Sequence, residues 1–144
     1  MDEDLLKIME LFGAVNNRFQ LRLRSLAGLE SVGLTAYEAR TLALIARNPG
    51  CSQLMIGTWT DRDKAQVART VKELEARKMI VRATNPADWR AHSLELTEEG
   101  RRCFEFLDGQ RHEIGTDMMQ DVSTEEKRVL AHALAKMKAR LGQG

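Results

Sequence analysis

Between Asp63 and Lys78, the residues Gln66, Arg69, Thr70 and Glu73 recur at the spacing of one helical face, while Val67, Val71 and Leu74 fall on another. Glutamine can donate to and accept from an adenine edge, and arginine can bond bidentately to guanine. The polar face therefore holds groups suited to the major groove of DNA, with a solvated amphipathic surface as the alternative. Local charge favours the groove. Residues 62 to 90 hold eight basic side chains, Arg62 and Lys64 among them, against four acidic ones, whereas the first ten residues hold four acidic against one basic. A chain of 144 residues with a net charge of only +1 thus gathers its positive charge where phosphates would be met. Further on, Asp88 and Arg90 flank Trp89. An aspartate beside an arginine in a tight turn can hold the guanidinium extended towards a narrow minor groove; the alternative is a surface ion pair worth about 0–1 kcal/mol. Trp89 could stack on a sugar or pack beneath the turn.

Other chemistries find little support. His92, His112 and His132 are scattered, and neither an H-x-x-x-H, a G-x-S-x-G nor a glycine-rich phosphate loop is present. No catalytic site, cofactor or metal is expected, and the chain reads as not an enzyme. Cys51 and Cys103 form no C-x-x-C pair, so a metal knuckle or disulfide framework has no basis. Buried free thiols are the ordinary state of such cysteines, although Arg101 and Arg102 adjoin Cys103 and keep a redox role open. Arg18, with Asn16 and Asn17, interrupts an apolar stripe and could meet an anion or face solvent. No apolar run approaches the roughly 20 residues of a membrane span, and the acidic start is unlike a signal peptide. A soluble, cytoplasmic protein with no membrane partner is expected.

The elements that must position these groups follow from periodicity. Leu5, Met9, Phe12, Phe19, Leu23 and Leu26 share one stripe, widened by Ile8, Leu11 and Val15, and predict a first helix over 4–29. Its width exceeds what one small core needs, so part of it should meet a second chain. Thr35 with Glu38 forms a capping box for a helix that Asn48-Pro49-Gly50 ends, and Ser52 caps a short helix through Ile56. The helix from Asp63 to Lys78 follows, then strands at 79–82 and 93–96 around the turn Asn85-Pro86-Ala87-Asp88. Thr97 starts a fifth helix, weakened by Gly109 and Gly115, and a Ser123–Glu126 capping box starts a sixth. The expected fold is mainly α with a small β-hairpin.

Taken together, Gly33-Leu34-Thr35, Asp63-Lys64-Ala65-Gln66-Val67-Ala68-Arg69, Asp88-Trp89-Arg90 and Leu96-Thr97-Glu98-Glu99-Gly100 resemble the MarR family of bacterial winged helix-turn-helix regulators. The family's D-K-S-x-V-S-R recognition-helix motif falls on 63–69, its D-x-R wing tip on Asp88 and Arg90, and its L-T-x-x-G strand exit on Leu96, Thr97 and Gly100. Ala65 and Ala68 stand where hydroxyl residues are usual, Lys78 replaces the glycine after the recognition helix, and Trp89 replaces a frequent arginine.

The resemblance implies a single domain over 1–144, with a winged-helix DNA-binding core at 33–102 and dimerisation helices at 4–29 and 103–141. It further implies a homodimeric, cytoplasmic transcription repressor on a palindromic double-stranded DNA operator, released by a small effector such as an aromatic acid. DNA contacts would then come from Arg62, Lys64, Gln66, Arg69, Thr70, Asp88, Trp89 and Arg90. Competing readings are a winged-helix module that binds protein instead of an operator, and a thiol-based redox sensor.

Overall fold

The computed structural model describes residues 2–25, 27–85 and 88–142; the side chains of 27–29, 85 and 88–92 lie outside the description. Among the described residues the order is α1 (Glu3–Ser25), α2 (Ala27–Val32), α3 (Ala36–Arg47), α4 (Gln53–Thr60), α5 (Lys64–Ala76), β1 (Ile80–Asn85), β2 (Asp88–Leu96), α6 (Glu98–Met118) and α7 (Thr124–Leu141). The chain is mainly helical with an antiparallel hairpin, as expected. It divides into two compact units, Met1–Arg111 and His112–Gly144. No helix among the described residues is long and apolar enough to cross a membrane.

Local chemistry sets most helix starts. Ser52 and Asp63 sit in extended backbone and accept hydrogen bonds from the N–H groups of Met55 (3.2 Å) and Gln66 (2.8 Å), satisfying donors that a first helical turn leaves open. In the second unit Ser123 and Glu126 close a full capping box at the start of α7, each side chain bonding the other's backbone N–H. At Thr35 only half of the expected box forms. The hydroxyl accepts from Glu38 N–H at 3.1 Å, but the Glu38 carboxylate lies 3.7 Å from Arg77. The same guanidinium donates to the carbonyls of Gly33 (2.7 Å) and Val32 (2.5 Å), so one cation from the end of α5 secures the end of α2.

Over the span expected for the first helix, the described residues Glu3–Ser25 and Ala27–Val32 are helical, and the Ser25 hydroxyl donates to the Arg22 carbonyl at 2.9 Å. Leu26, assigned to the apolar stripe from sequence, lies outside the described residues. α6 runs unbroken through Gly109 and Gly115. Neither glycine has an atom near the place of a Cβ, so each costs the helix only its backbone entropy, about 1 kcal/mol.

The core of the first unit joins Leu42 and Ile45 of α3, Ile56 of α4, Val67, Val71 and Leu74 of α5, Ile80 and Leu94 of the hairpin, and Cys103 of α6. Full burial of one such aliphatic side chain contributes roughly 1.5–3 kcal/mol, and this shared cluster holds α5 against the hairpin. Ile80 pairs with Leu96 and Arg82 with Leu94, and the register slips between Thr84 and Asn85. Cys51 adds a bridge beyond the expected strands: its carbonyl accepts from Leu94 N–H at 2.8 Å, while Gly50 N–H donates to the Leu94 carbonyl at 3.0 Å.

At the exit of α5, Lys78 stands in place of the glycine usual after such a helix. Lys78 adopts φ +58°, Lys78 N–H bonds the Glu75 carbonyl at 2.9 Å, and Met79 N–H bonds the Leu74 carbonyl at 3.0 Å. This is a Schellman motif with lysine in the left-handed position that glycine usually fills, and Met79 and Leu74 meet in the core as that motif requires.

Candidate nucleic-acid interface

α5 buries Val67, Thr70, Val71 and Leu74. Its outward face is formed by the exposed Ala65, Arg69, Lys72, Glu73 and Ala76, with Gln66 half-buried at its margin. Thr70 therefore requires correction: only 9% exposed, it turns towards the core and does not share the reading face with Arg69. Lys72 is the residue that sequence reasoning left off that face. Placing the face directly opposite the centre of Val67, Val71 and Leu74, at about 100° per residue, would have selected Ala65, Arg69, Lys72 and Ala76.

Not every basic residue near α5 is free for a ligand. Arg77 is held by Val32, Gly33 and Glu38, and Arg82 donates to Glu75 at 2.7 Å. Arg62, Lys64, Arg69 and Lys72 are exposed and make no ion pair among the described residues. The Asp63 carboxylate accepts from Gln66 N–H as the N-cap of α5 and forms no ion pair with Arg62 or Lys64 among the described residues. The result is a line of cations along the start and outer face of one short helix. The hairpin backbone reaches Asp88, paired with Asn85, but the side chains of Asp88, Trp89 and Arg90 lie outside the described residues. The turn residues Pro86 and Ala87 do as well.

A cavity of about 500 Å³ opens behind the turn that leads into α5. Phe19, Leu23 and Arg24 of α1, Tyr37, Arg40 and Arg47 of α3, Arg62, and Phe104, Asp108 and Arg111 of α6 contribute to its wall. Three guanidiniums lie over three rings around it: Arg62 over Tyr37 at 5.2 Å, Arg47 over Phe104 at 5.6 Å and Arg111 over Phe19 at 5.9 Å. Arg47 is also paired with Asp108 at 3.2 Å, the one carboxylate among five arginines in the lining. Such a wall suits a flat apolar body that carries negative charge. Arg18, considered from sequence as an anion contact, is not part of it. The five arginines come from α1, α3, α6 and a turn, so no local spacing marks them as a group.

Both cysteines are free and buried. Burial pushes the Cys51 thiol up, and it pushes Cys103 up against the opposing charge of Arg77. Among the described residues no three of His, Cys, Asp and Glu gather as a metal site.

Three packed helices ending in an exposed basic helix, followed by a hairpin clamped to it, define a winged helix-turn-helix. Residues 32–91 match the MarR family. An uncharacterized HTH-type transcriptional regulator, YdgJ, of Bacillus subtilis (strain 168) is 30% identical over 106 residues, spanning 74% of this chain and 65% of that protein. The crystal structure of MarR is 25% identical and superposes with a TM-score of 0.69 over 99% of this chain and 97% of that one. Streptococcus pneumoniae FabT in complex with DNA is 20% identical, with a TM-score of 0.76 over 96% of this chain and 98% of that one. The chain is thus similar to the MarR family in sequence over residues 32–91 and shares its fold with the solved structure of MarR. Its described relatives are transcriptional regulators, not enzymes, which agrees with the reading from sequence.

Proposed function

We propose that this chain is a sequence-specific DNA-binding transcription repressor that acts as a homodimer in the cytoplasm. In this reading α5 enters the major groove of each half of a palindromic operator. Arg69 reads a base edge, Arg62, Lys64 and Lys72 meet phosphates, and the wing tip of Asp88, Trp89 and Arg90 approaches the adjoining minor groove. The observation that carries it is the outward face of α5, where Arg69 and Lys72 stand exposed, without an ion-pair partner among the described residues, on a helix whose other side is sealed in the core. The DNA complex of the similarly folded FabT supports the geometry. Selection of bound fragments from genomic DNA, followed by titration of the recovered site at several salt concentrations, is the test. Recovery of a palindrome bound with steep salt dependence is expected; indiscriminate or absent binding refutes the reading.

Dimerisation over 4–29 and 103–141 is part of the proposal. α1 has no buried residue, and Leu5, Met9, Phe12 and Val15 are each about half exposed. α7 likewise buries nothing and exposes Val129, Leu130, Leu134 and Met137. Apolar faces of this extent call for a second copy. The cavity is the proposed place of a small anionic effector with an apolar ring, of which an aromatic acid is the simplest example.

A protein-binding winged helix is the second reading, favoured by Leu54, Met55 and Trp59, which are exposed together on α4. Stable capture of a protein partner that Leu54→Glu abolishes, with no DNA bound, would select it. The redox reading is disfavoured by the burial that keeps both thiols protonated.

A further inference from the structure

We infer that Arg62 is shared between the cavity and the DNA backbone, so that an anion in the cavity competes with a phosphate for one guanidinium. The inference rests on the reading of α5 as a DNA-binding helix and names how the two sites communicate. Arg62 is the single residue between Asp61, in the left-handed conformation that ends α4, and Asp63, the N-cap of α5. Its main chain is fixed, since Arg62 N–H bonds the Gly57 carbonyl at 3.2 Å. Its side chain has no carboxylate partner among the described residues and lies over the Tyr37 ring, on the cavity wall. The next side chain but one is Lys64, at the start of the cationic face. One arginine thus stands at the boundary of both sites, held by a ring contact alone and with its five donors open.

The ring beneath it is a fixed platform. The Tyr37 hydroxyl and Thr60 Oγ1 are 3.1 Å apart, and Thr60 Oγ1 donates to the Ile56 carbonyl at 2.7 Å, so the tyrosine is the donor of the first bond. A carboxylate that enters the cavity meets a guanidinium already stacked on its wall, and the charge-assisted pair draws Arg62 inward. Arg62 then no longer neutralises a phosphate. Because each phosphate contact adds about 0.9 to the salt slope of DNA binding, this mode of release has a signature distinct from a mechanical shift of α5.

Benzoate serves as the probe, compared with equal chloride, on the full chain and the selected operator. For wild type, benzoate should weaken binding and lower the salt slope by about one per protomer. Arg62→Gln should show the lowered slope without benzoate and no further response to it, with unchanged thermal unfolding because the residue is exposed. Tyr37→Phe, which keeps the ring and loses the Thr60 bond, should retain the response. A full benzoate response in Arg62→Gln, loss of the response in Tyr37→Phe alone, or a wild-type slope indifferent to benzoate overturns the inference. Operator binding with an unaltered slope in Arg62→Gln removes the inference and leaves the DNA-binding reading standing. Absence of any salt-dependent operator binding by wild type removes both.

Discussion

Gly100 packs against the carbonyl of Met79 so closely that a Cβ on the glycine would overlap that oxygen. The first turn of α6 is thereby pressed onto the exit of α5. Thr97 secures the same junction: its N–H donates to the Met79 carbonyl at 3.0 Å, its hydroxyl donates to the Lys78 carbonyl at 2.6 Å, and its oxygen accepts from Gly100 N–H at 3.0 Å. The L-T-x-x-G pattern read in the sequence is therefore a clamp that sets the hairpin against α5. Gly100→Ala should destabilise the chain by about 1–3 kcal/mol, the usual penalty of overpacking. Gly109→Ala, where space is open in the same helix, should stabilise by up to about 1 kcal/mol. Chemical denaturation of the two variants checks the contrast, and equal stability would contradict the clamp.

Lys78 offers the opposite test at the neighbouring position. Its left-handed conformation costs a non-glycine residue roughly 1–2 kcal/mol, and glycine's greater freedom in the unfolded chain returns part of that. Lys78→Gly should raise stability by about 0.5–1 kcal/mol in the same denaturation assay. A destabilised Lys78→Gly would mean that the lysine makes a favourable contact that outweighs its strain.

The helix starts at Ser52, Asp63 and Ser123 were legible in the sequence because a cap is decided within four residues. At Thr35 the same logic was half right, since Glu38 turned to a partner 39 positions away, Arg77. Sequence distance also hid the bridge of Cys51 to Leu94 and the arginines that α1, α3 and α6 bring to one cavity. The basic helix was recognisable from its pattern, but Thr70 was misplaced because the polar face was drawn from side-chain chemistry. The centre of the apolar stripe was the better guide: a threonine at the edge of that stripe is small enough to be buried.

That distinction yields a prediction for readout. Arg69→Ala should cost about 1–3 kcal/mol at one base position of each half-site and relax specificity there, as loss of a bidentate base contact does. Lys72→Ala should weaken all sequences alike and lower the salt slope by about one unit. Thr70→Val, behind the face, should leave specificity unchanged. Binding to a set of singly substituted operators separates the three outcomes, and an altered base preference in Thr70→Val would contradict its burial.

The thiols predict a pH dependence of definite sign. Burial raises both above the ordinary thiol range, near about pH 8.5. The folded chain then binds their protons more tightly than the unfolded one. Their stabilising contribution is complete below that range and is lost as pH rises through the raised values. Unfolding free energy should fall on the alkaline side beyond about pH 8.5, and Cys51→Ser with Cys103→Ser should flatten that part of the profile. Rapid modification of the native chain by a thiol reagent at neutral pH would reverse the argument and revive a redox role.

The last prediction concerns assembly. α1 has 23 residues, which at about 1.5 Å each extend roughly 34 Å. A two-fold dimer on a palindrome must hold its recognition helices about 34–36 Å apart, one turn of DNA, so a helix of this length is suited to span between half-sites. The apolar residues it exposes, and those of α7, exceed what a soluble monomer ordinarily leaves in water. Phe12→Glu combined with Leu134→Glu should therefore abolish the dimer and, with it, folded stability, because interfaces of this kind resemble a core divided between two chains. Sedimentation equilibrium of wild type at micromolar concentration should give a dimer, and footprinting should show half-sites centred about 10 base pairs apart. A folded wild-type monomer, or protection of a single half-site, would refute the dimer even if α5 proved to bind DNA.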